Sequence, residues 1–238
     1  LDAWVKLKRQ LGDQPKRIVI IGAGMVGCEL ADDFITAGHQ VTLLDVQKAP
    51  LAALLPEQAS ERLRAALVSA GVKFLGVTRV AGVTVRERGV KTVSLIDGPP
   101  IECDEVVAAT GLLTDTRLAL AAKLATDRGI VVDPLTLQTS AADVYALGDC
   151  VSINGMPCRF IEPISKQAHA IASVITGQGD APYTHSPPVI RLKTHSLPVV
   201  LHGSPVSHGQ WRVVSETRKQ LKMAQQIDGV DCCTLELG

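Results

Sequence analysis

The sequence predicts an α/β chain: a Rossmann-type parallel sheet with an antiparallel meander inserted in it, followed by further mixed segments. Three observations predict this. "RIVIIG" (17–22) and "QVTLLD" (40–45) are short β-branched runs of the kind that is buried on both faces of a sheet. The stretch between them, "MVGCELADDFITAG", has helical length and ends at Gly38. A crossover of that length makes the two strands parallel neighbours.

The later elements follow in order. "PEQASERLRAALVSAG" (56–71) places Leu63, Ala66, Leu67 and Ala70 at helical spacing, with proline at its first turn and glycine at its end. "VKFLGV" reads as a third strand. Residues 79–104 are strand-rich and charged, with turns at Gly89 and at Gly98-Pro99-Pro100, and read as the inserted meander. "EVVAATG" (105–111) returns to the parallel sheet. "TRLALAAKLAT" reads as a short helix, "GIVVD" as a strand, and "VYALGD" as a buried strand ending in a turn. "PISKQAHAIASVITG" (163–177) reads as a helix opened by proline. From 181 on, the chain is rich in Pro, His and Ser and predicts only short strands, a small α+β segment. The expected division is 1–113, 114–182 and 183–238.

Composition excludes several functions. Lys plus Arg and Asp plus Glu are both 24, so no global basic footprint points to nucleic acid or an anionic membrane. Aromatic content is 3%, which disfavours base-stacking surfaces. No apolar run approaches the roughly 20 residues that span a bilayer. The six cysteines show neither a CxxC nor a metal-ligand spacing and no metal site is expected; they read as reduced core residues of a cytoplasmic protein. Cys232 and Cys233 are either two free thiols on a strand or a vicinal disulfide. The six histidines read as loop or surface residues.

The chemistry-bearing motif is "GAGMVG". Gly22, Gly24 and Gly27 fit G-x-G-x-x-G between a strand and a helix, with Met25 and Val26 at the helix start and Asp45 ending the next strand. The first glycine permits the tight turn, the second lets backbone approach a pyrophosphate, and the third permits close helix–strand packing. Free N–H groups and the helix dipole favour the phosphates. Asp45 would accept ribose hydroxyls and repel a 2′-phosphate, which favours NADH over NADPH, although Lys48 lies near enough to soften that charge. The competing reading is a glycine-rich turn with a solvated Asp45.

With these pieces in place, the chain resembles the two-dinucleotide flavoprotein reductases of the glutathione-reductase-like family, and within it rubredoxin reductase and related NADH-dependent electron-transfer reductases. The resemblance covers Leu1 to about Pro205 and rests on "IVIIGAGMVGCELA", "VVAATGLLTDT", "GIVVDPLTLQTSAADVYALGD" and "VIRLKTHSLPVV". It implies that Thr110 and Gly111 lie against the NAD. Thr139, Tyr145, Ala146, Gly148 and Asp149 match the family's second FAD signature, so 114–182 is implied to be the second segment of an FAD-binding domain. Asp149 would reach the ribityl chain, with Pro163, Ile164 and Ser165 beside the flavin ring. Glu29 would point toward the nicotinamide as the one candidate catalytic group; its alternative is a helix Glu satisfied by a neighbouring Lys or Arg. The alternative for Asp149 is a turn-forming residue.

The resemblance also implies a departure. Members begin with an FAD-binding GxGxxG, whereas "LDAWVKLKRQLGDQPK" reads as a helix leading into the NAD domain. The expectation is a fragment with half an FAD site that retains little FAD. "TLELG" does not resemble the family's ending. The implied activity is electron transfer from NADH through FAD to rubredoxin or a similar acidic iron or iron–sulfur carrier, with Arg159, Lys166, Arg191 and Lys193 as a docking patch or as ordinary solvated surface. The alternatives are a ferredoxin reductase, a nitrite-reductase-like diaphorase, a non-catalytic NADH-sensing module, and a structural interaction domain.

Overall fold

The computed structural model describes residues 2–86, 89–177, 182–186 and 189–238. A lead-in helix, α1 (Asp2–Leu11), precedes β1 (Arg17–Ile21), α2 (Met25–Thr36), β2 (Gln40–Leu44), α3 (Glu57–Ser69) and β3 (Lys73–Leu75). The meander is β4 (Val80–Val85), β5 (Lys91–Leu95) and β6 (Ile101–Cys103), and β7 (Glu105–Ala108) returns to the sheet. The parallel sheet has order β3-β2-β1-β7, which puts β1, the strand feeding the glycine loop, in its interior.

Alternation along β1 fills two cores. Ile18 and Ile20 join the helices α2 and α3 in one cluster, while Val19 and Ile21 face the meander with Leu44, Val93 and Cys103 in another. Burying each such aliphatic side chain contributes about 1.5–3 kcal/mol. Paired carboxylates fix the far end of β1. Asp104 accepts from the Arg17 amide at 2.8 Å and from its guanidinium at 2.9 Å, and Lys91 pairs with Glu105 at 3.0 Å.

The chain divides into two compact units: residues 1–111 with 189–238, and residues 112–188. The second unit contains α4 (Arg117–Ala121), β8 (Ile130–Val131), β9 (Val151–Ile153), β10 (Met156–Pro157) and α5 (Glu162–Thr176), around a core of Val132, Leu137, Ala146, Val151, Ile153, Cys158 and Tyr183. Here the structure departs from expectation. "VYALGD" is not a buried strand: it makes one isolated bridge, Gln138 to Tyr145, then bends into a 3-10 turn at Gly148–Cys150, and Val144 is 42% exposed. Its continuous apolar run, Val144 to Leu147, is present, but that single bridge is its only strand pairing among the described residues.

Residues 189–238, taken above as part of a separate segment beginning at 183, share a core with 1–111. Leu192, Leu197, Val199, Leu201, Leu221, Met223, Cys233, Leu235 and Leu237 join the cluster of α2 and α3. The described part of this segment is a five-stranded antiparallel sheet, where a small α+β segment with short strands was expected. It consists of β11 (Ile190–Leu192), β12 (Val199–His202), β13 (Gln210–Glu216), β14 (Leu221–Ile227) and β15 (Val230–Leu237), in the order β11-β12-β15-β14-β13. Cys232 and Cys233 are free thiols on β15, the first exposed and the second buried. The expected second boundary, between 182 and 183, falls inside the second unit, whose core includes Tyr183; residues 178–181 and 187–188 lie outside the described residues. Among the described residues no helix is long and apolar enough to cross a membrane, and no group of three His, Cys, Asp or Glu side chains could hold a metal ion.

Candidate dinucleotide site

The glycine loop is tied on every side. The Gly22 amide donates to the Leu44 carbonyl at 2.8 Å, and the Ala109 amide donates to Ile21 at 2.8 Å, so the loop leaves the sheet between β2 and β7. Gly22 has φ 104°, and a Cβ there would sit 2.5 Å from the Ala109 carbonyl oxygen. At Gly27 a Cβ would lie 1.9 Å from the Gly22 carbonyl oxygen. Both positions therefore exclude any side chain, Gly27 by contact alone. Gly24 is different. It precedes the first helical residue in extended backbone, and a Cβ there would meet no atom within 4 Å. The space above Gly24 is open.

The first backbone bond of α2 runs from the Cys28 amide to the Gly24 carbonyl at 3.0 Å. The amides of Met25, Val26 and Gly27 thus have no acceptor within the helix. No side chain caps them, and no acidic residue occupies the first turn. This is a helix start whose positive end is left open toward an anion.

Asp45 sits just past β2 and is held rather than solvated. Its Oδ2 accepts from the Ala23 amide at 2.5 Å and its Oδ1 from the Gln47 amide at 2.7 Å. Each oxygen retains accepting capacity. Lys48, which could have offset this charge, is paired instead with Glu57 at an exposed site. Cys28 closes the loop from below, its Sγ donating to the Ala23 carbonyl at 3.4 Å. Burial, and then the charges of Asp45 and Glu29, push its thiol up to about 12, so it stays protonated. Thr110 and Gly111, both exposed, follow β7, and the Thr110 amide nitrogen would lie 3.2 Å from a Cβ placed at Gly22.

Glu29, half-buried one turn past Gly27, has no Lys or Arg side chain paired with it among the described residues. Its Oε1 accepts the backbone amide of Lys193 at 2.8 Å. Sequence reasoning missed its neighbour Asp32, which is 2% exposed and accepts the amides of His195 at 2.5 Å and Ser196 at 3.3 Å. An Asp on a surface helix reads as solvated, and nothing local signals a partner more than a hundred residues away.

In the second unit, Gly148 is buried with φ 74°, and Ile164 lies 3.6 Å from where its Cβ would be. Its amide donates to the Oε1 of Gln167 at 2.8 Å. Gln167 is fully buried, and its Nε2 reaches the Cys158 sulfur at 3.4 Å. Gln167 was also missed, because a lone Gln inside a helix carries no motif. Asp149 is exposed; among the described residues only its carbonyl is engaged, by the Thr114 hydroxyl at 3.3 Å. Thr139 shapes the approach to the turn, accepting the Ala141 amide at 3.2 Å, and Tyr145 makes the bridge to Gln138. Pro163 is buried and Ile164 half-buried in the first turn of α5, beside Glu162, while Ser165 and Lys166 are exposed. The Nη2 of Arg159 reaches Thr114 at 3.5 Å. Of the four proposed docking cations, Arg191 and Lys193 belong to the first unit and Arg159 and Lys166 to the second.

The chain has relatives among known proteins. Residues 4–179 match the family described as pyridine nucleotide-disulphide oxidoreductase. The chain is 39% identical over 90% of its length to the nitric oxide reductase FlRd-NAD(+) reductase of Salmonella heidelberg, and 38% identical over 91% to the one of Escherichia coli O157:H7, spanning 56% of each relative. Among solved structures, a covalent putidaredoxin reductase–putidaredoxin complex matches with a TM-score of 0.90 at 24% identity, covering 100% of this chain and 58% of that one. A ferredoxin reductase from Rhodopseudomonas palustris matches equally well, with a TM-score of 0.90 at 24% identity over 99% of this chain and 59% of that one. Both structures share its fold.

Proposed function

The chain belongs to the pyridine nucleotide-disulphide oxidoreductase family, and from that premise we propose that it carries the NADH site and one segment of the FAD site of a reductase for small iron-containing electron carriers such as rubredoxin. The observation that carries this reading is the uncapped start of α2 beside a carboxylate fixed by two backbone amides. The amides of Met25, Val26 and Gly27 would receive the pyrophosphate in the open space above Gly24. Asp45 would accept the adenosine ribose hydroxyls; a 2′-phosphate at that place would meet an anion, and Lys48, three residues on, is engaged by Glu57. Thr110 and Gly111 would line the path beside Gly22.

Gly148, Asp149, Pro163 and Ile164 would serve FAD. The Asp149 carboxylate is exposed and has no hydrogen-bond partner among the described residues, which suits it to a ribityl hydroxyl. Bound FAD supplies the exchange between a two-electron donor and one-electron acceptors. The chain's own residues orient the dinucleotides and keep buried thiols such as Cys28 protonated. The relatives' names support NAD, and those names with the putidaredoxin complex support an iron-protein acceptor. Exposed Lys166, Arg191 and Lys193, with Arg159, would speed association with an acidic carrier. Six free cysteines fit a reducing compartment, so we place the protein in the cytoplasm.

Calorimetry on the 238-residue chain tests the NADH site. NADH should bind and NADPH should bind more weakly. Gly24→Ala, which meets open space in the fold, should keep the melting profile and weaken NADH by at least about tenfold. Equal or tighter NADPH binding by the natural chain sinks the reading. Rubredoxin and ferredoxin reduction by the flavin-loaded protein then separates the two acceptor classes.

A further inference from the structure

The acidic face of α2 carries contacts that the phosphate cradle does not use. Glu29, Asp32 and Asp33 are spaced i, i+3 and i+4, so they share one side of the helix. Three amides from the 193–196 loop converge on the first two: Lys193 on Glu29 at 2.8 Å, and His195 and Ser196 on Asp32 at 2.5 and 3.3 Å. Carboxylates accepting amide N–H groups make the stronger, charge-assisted class of hydrogen bond. The loop is braced from behind as well. Thr194, 4% exposed, donates its hydroxyl to the Leu197 carbonyl at 2.6 Å, and Leu197 is buried in the main core. Asp33 contributes little: His195 lies 4.0 Å away and both side chains are exposed.

The position of this clamp matters. Asp45 draws the adenosine half of a dinucleotide to the β2 side of the loop, so the other half must leave the pyrophosphate in the opposite direction, past β1 toward β7. Glu29 stands one helical turn beyond the cradle, and its side chain is tethered by the Lys193 amide. That amide is placed by a loop whose next contacts are with Asp32. We propose that Asp32 is a positioning residue: by holding the 193–196 loop it fixes the Lys193 amide, and through it the Glu29 carboxylate, for the nicotinamide half of the dinucleotide. This rests on the NADH reading above and adds to it a residue that touches neither nucleotide.

The test separates the two halves of the ligand. ADP-ribose contains the adenosine and pyrophosphate groups and lacks nicotinamide. The natural chain should bind NADH more tightly than ADP-ribose. In Asp32→Asn, ADP-ribose affinity should stay within about twofold, while the advantage of NADH over ADP-ribose falls at least about fivefold and the fluorescence of bound NADH moves toward that of free NADH. Thr194→Val, a near-isosteric change that loosens the same loop from its other side, should act in the same direction to a smaller extent. It keeps the test decisive if Asp32→Asn does not fold. Parallel loss of both ligands marks a merely structural role and overturns the inference, as does an undiminished NADH advantage in the folded variants. A natural chain that binds both ligands equally overturns the inference alone; one that binds neither overturns the NADH reading together with it.

Discussion

Two glycine turns in this chain, at Gly22–Gly27 and at Gly148–Asp149, are built from similar parts: extended backbone, a tight bend at a glycine of positive φ, and a helix packed close by. They are held differently. The first is locked by backbone against backbone, with the Gly22 carbonyl against Gly27 and the Gly22 amide on Leu44, inside a four-stranded sheet with clusters on both faces. The second is held chiefly by side chains, the buried amide of Gln167 on Gly148 and the Thr114 hydroxyl on the Asp149 carbonyl, in a unit with a small core. The difference teaches that a loop fixed by main chain tolerates no side chain at its contact points, whereas a loop fixed by a side chain can be loosened by changing a residue in a different element.

Substitutions should expose that contrast, beginning with the largest effect. Gly27→Ala places a methyl 1.9 Å from a carbonyl oxygen that cannot swing away, and should cost about 3 kcal/mol or more. Calorimetric melting should show this as a large drop confined to the first unit. Gly148→Ala, with only an Ile164 methyl at 3.6 Å, should cost about 1 kcal/mol, from its left-handed backbone alone. A melting change at Gly148 as large as that at Gly27 breaks the comparison.

Gln167→Leu should cost about 2 kcal/mol, because the Gly148 amide is left buried without an acceptor. Hydrogen exchange should locate the effect at 146–150 and leave 20–28 protected. A spread into the glycine loop of the first unit contradicts the separate holding of the two turns.

The smallest effect is with acid. Hydrogen bonding and charge from Arg17 lower the Asp104 carboxyl in the first unit, and the amides of Thr136 and Leu135 lower Asp133 in the second. Each folded value lies below the unfolded one, so the stabilisation is complete above about pH 4 and lost as pH falls through the folded values. Both carboxylates are partly or well exposed, so solvent screening keeps each contribution small. Asp104→Asn and Asp133→Asn should each flatten the acid limb of the stability curve slightly, and neither should shift stability at pH 8 by more than about 1 kcal/mol.

Much of the first unit was legible in the sequence because each part has a local cause. Gly22 and Gly27 are demanded by contact distances, α3 by its leucine spacing, and the meander by its turns. The second turn was legible only through family resemblance, and its strand was misjudged: "VYALGD" opens on an unbroken apolar run like a buried strand, but pairing is not a property of one segment. The late sheet was underestimated for the opposite reason. Buried Cys233, Leu235 and Leu237 alternate strictly along β15, but the Pro, His and Ser upstream set the impression of the whole segment. Asp32 and Gln167 were invisible, since each owes its role to a partner brought in by tertiary folding.

Because the last fifty residues complete the core begun by the first hundred and eleven, the order of synthesis has a cost. While a ribosome is still translating residues 112–188, the apolar flank of α2 and α3 has no cover and Asp32 has no amides to receive. A nascent chain paused there would expose apolar surface next to the glycine loop, the kind of surface that chaperones bind. If the glycine loop takes NADH as proposed, early arrival of that ligand would steady the half-built intermediate before its final strands emerge.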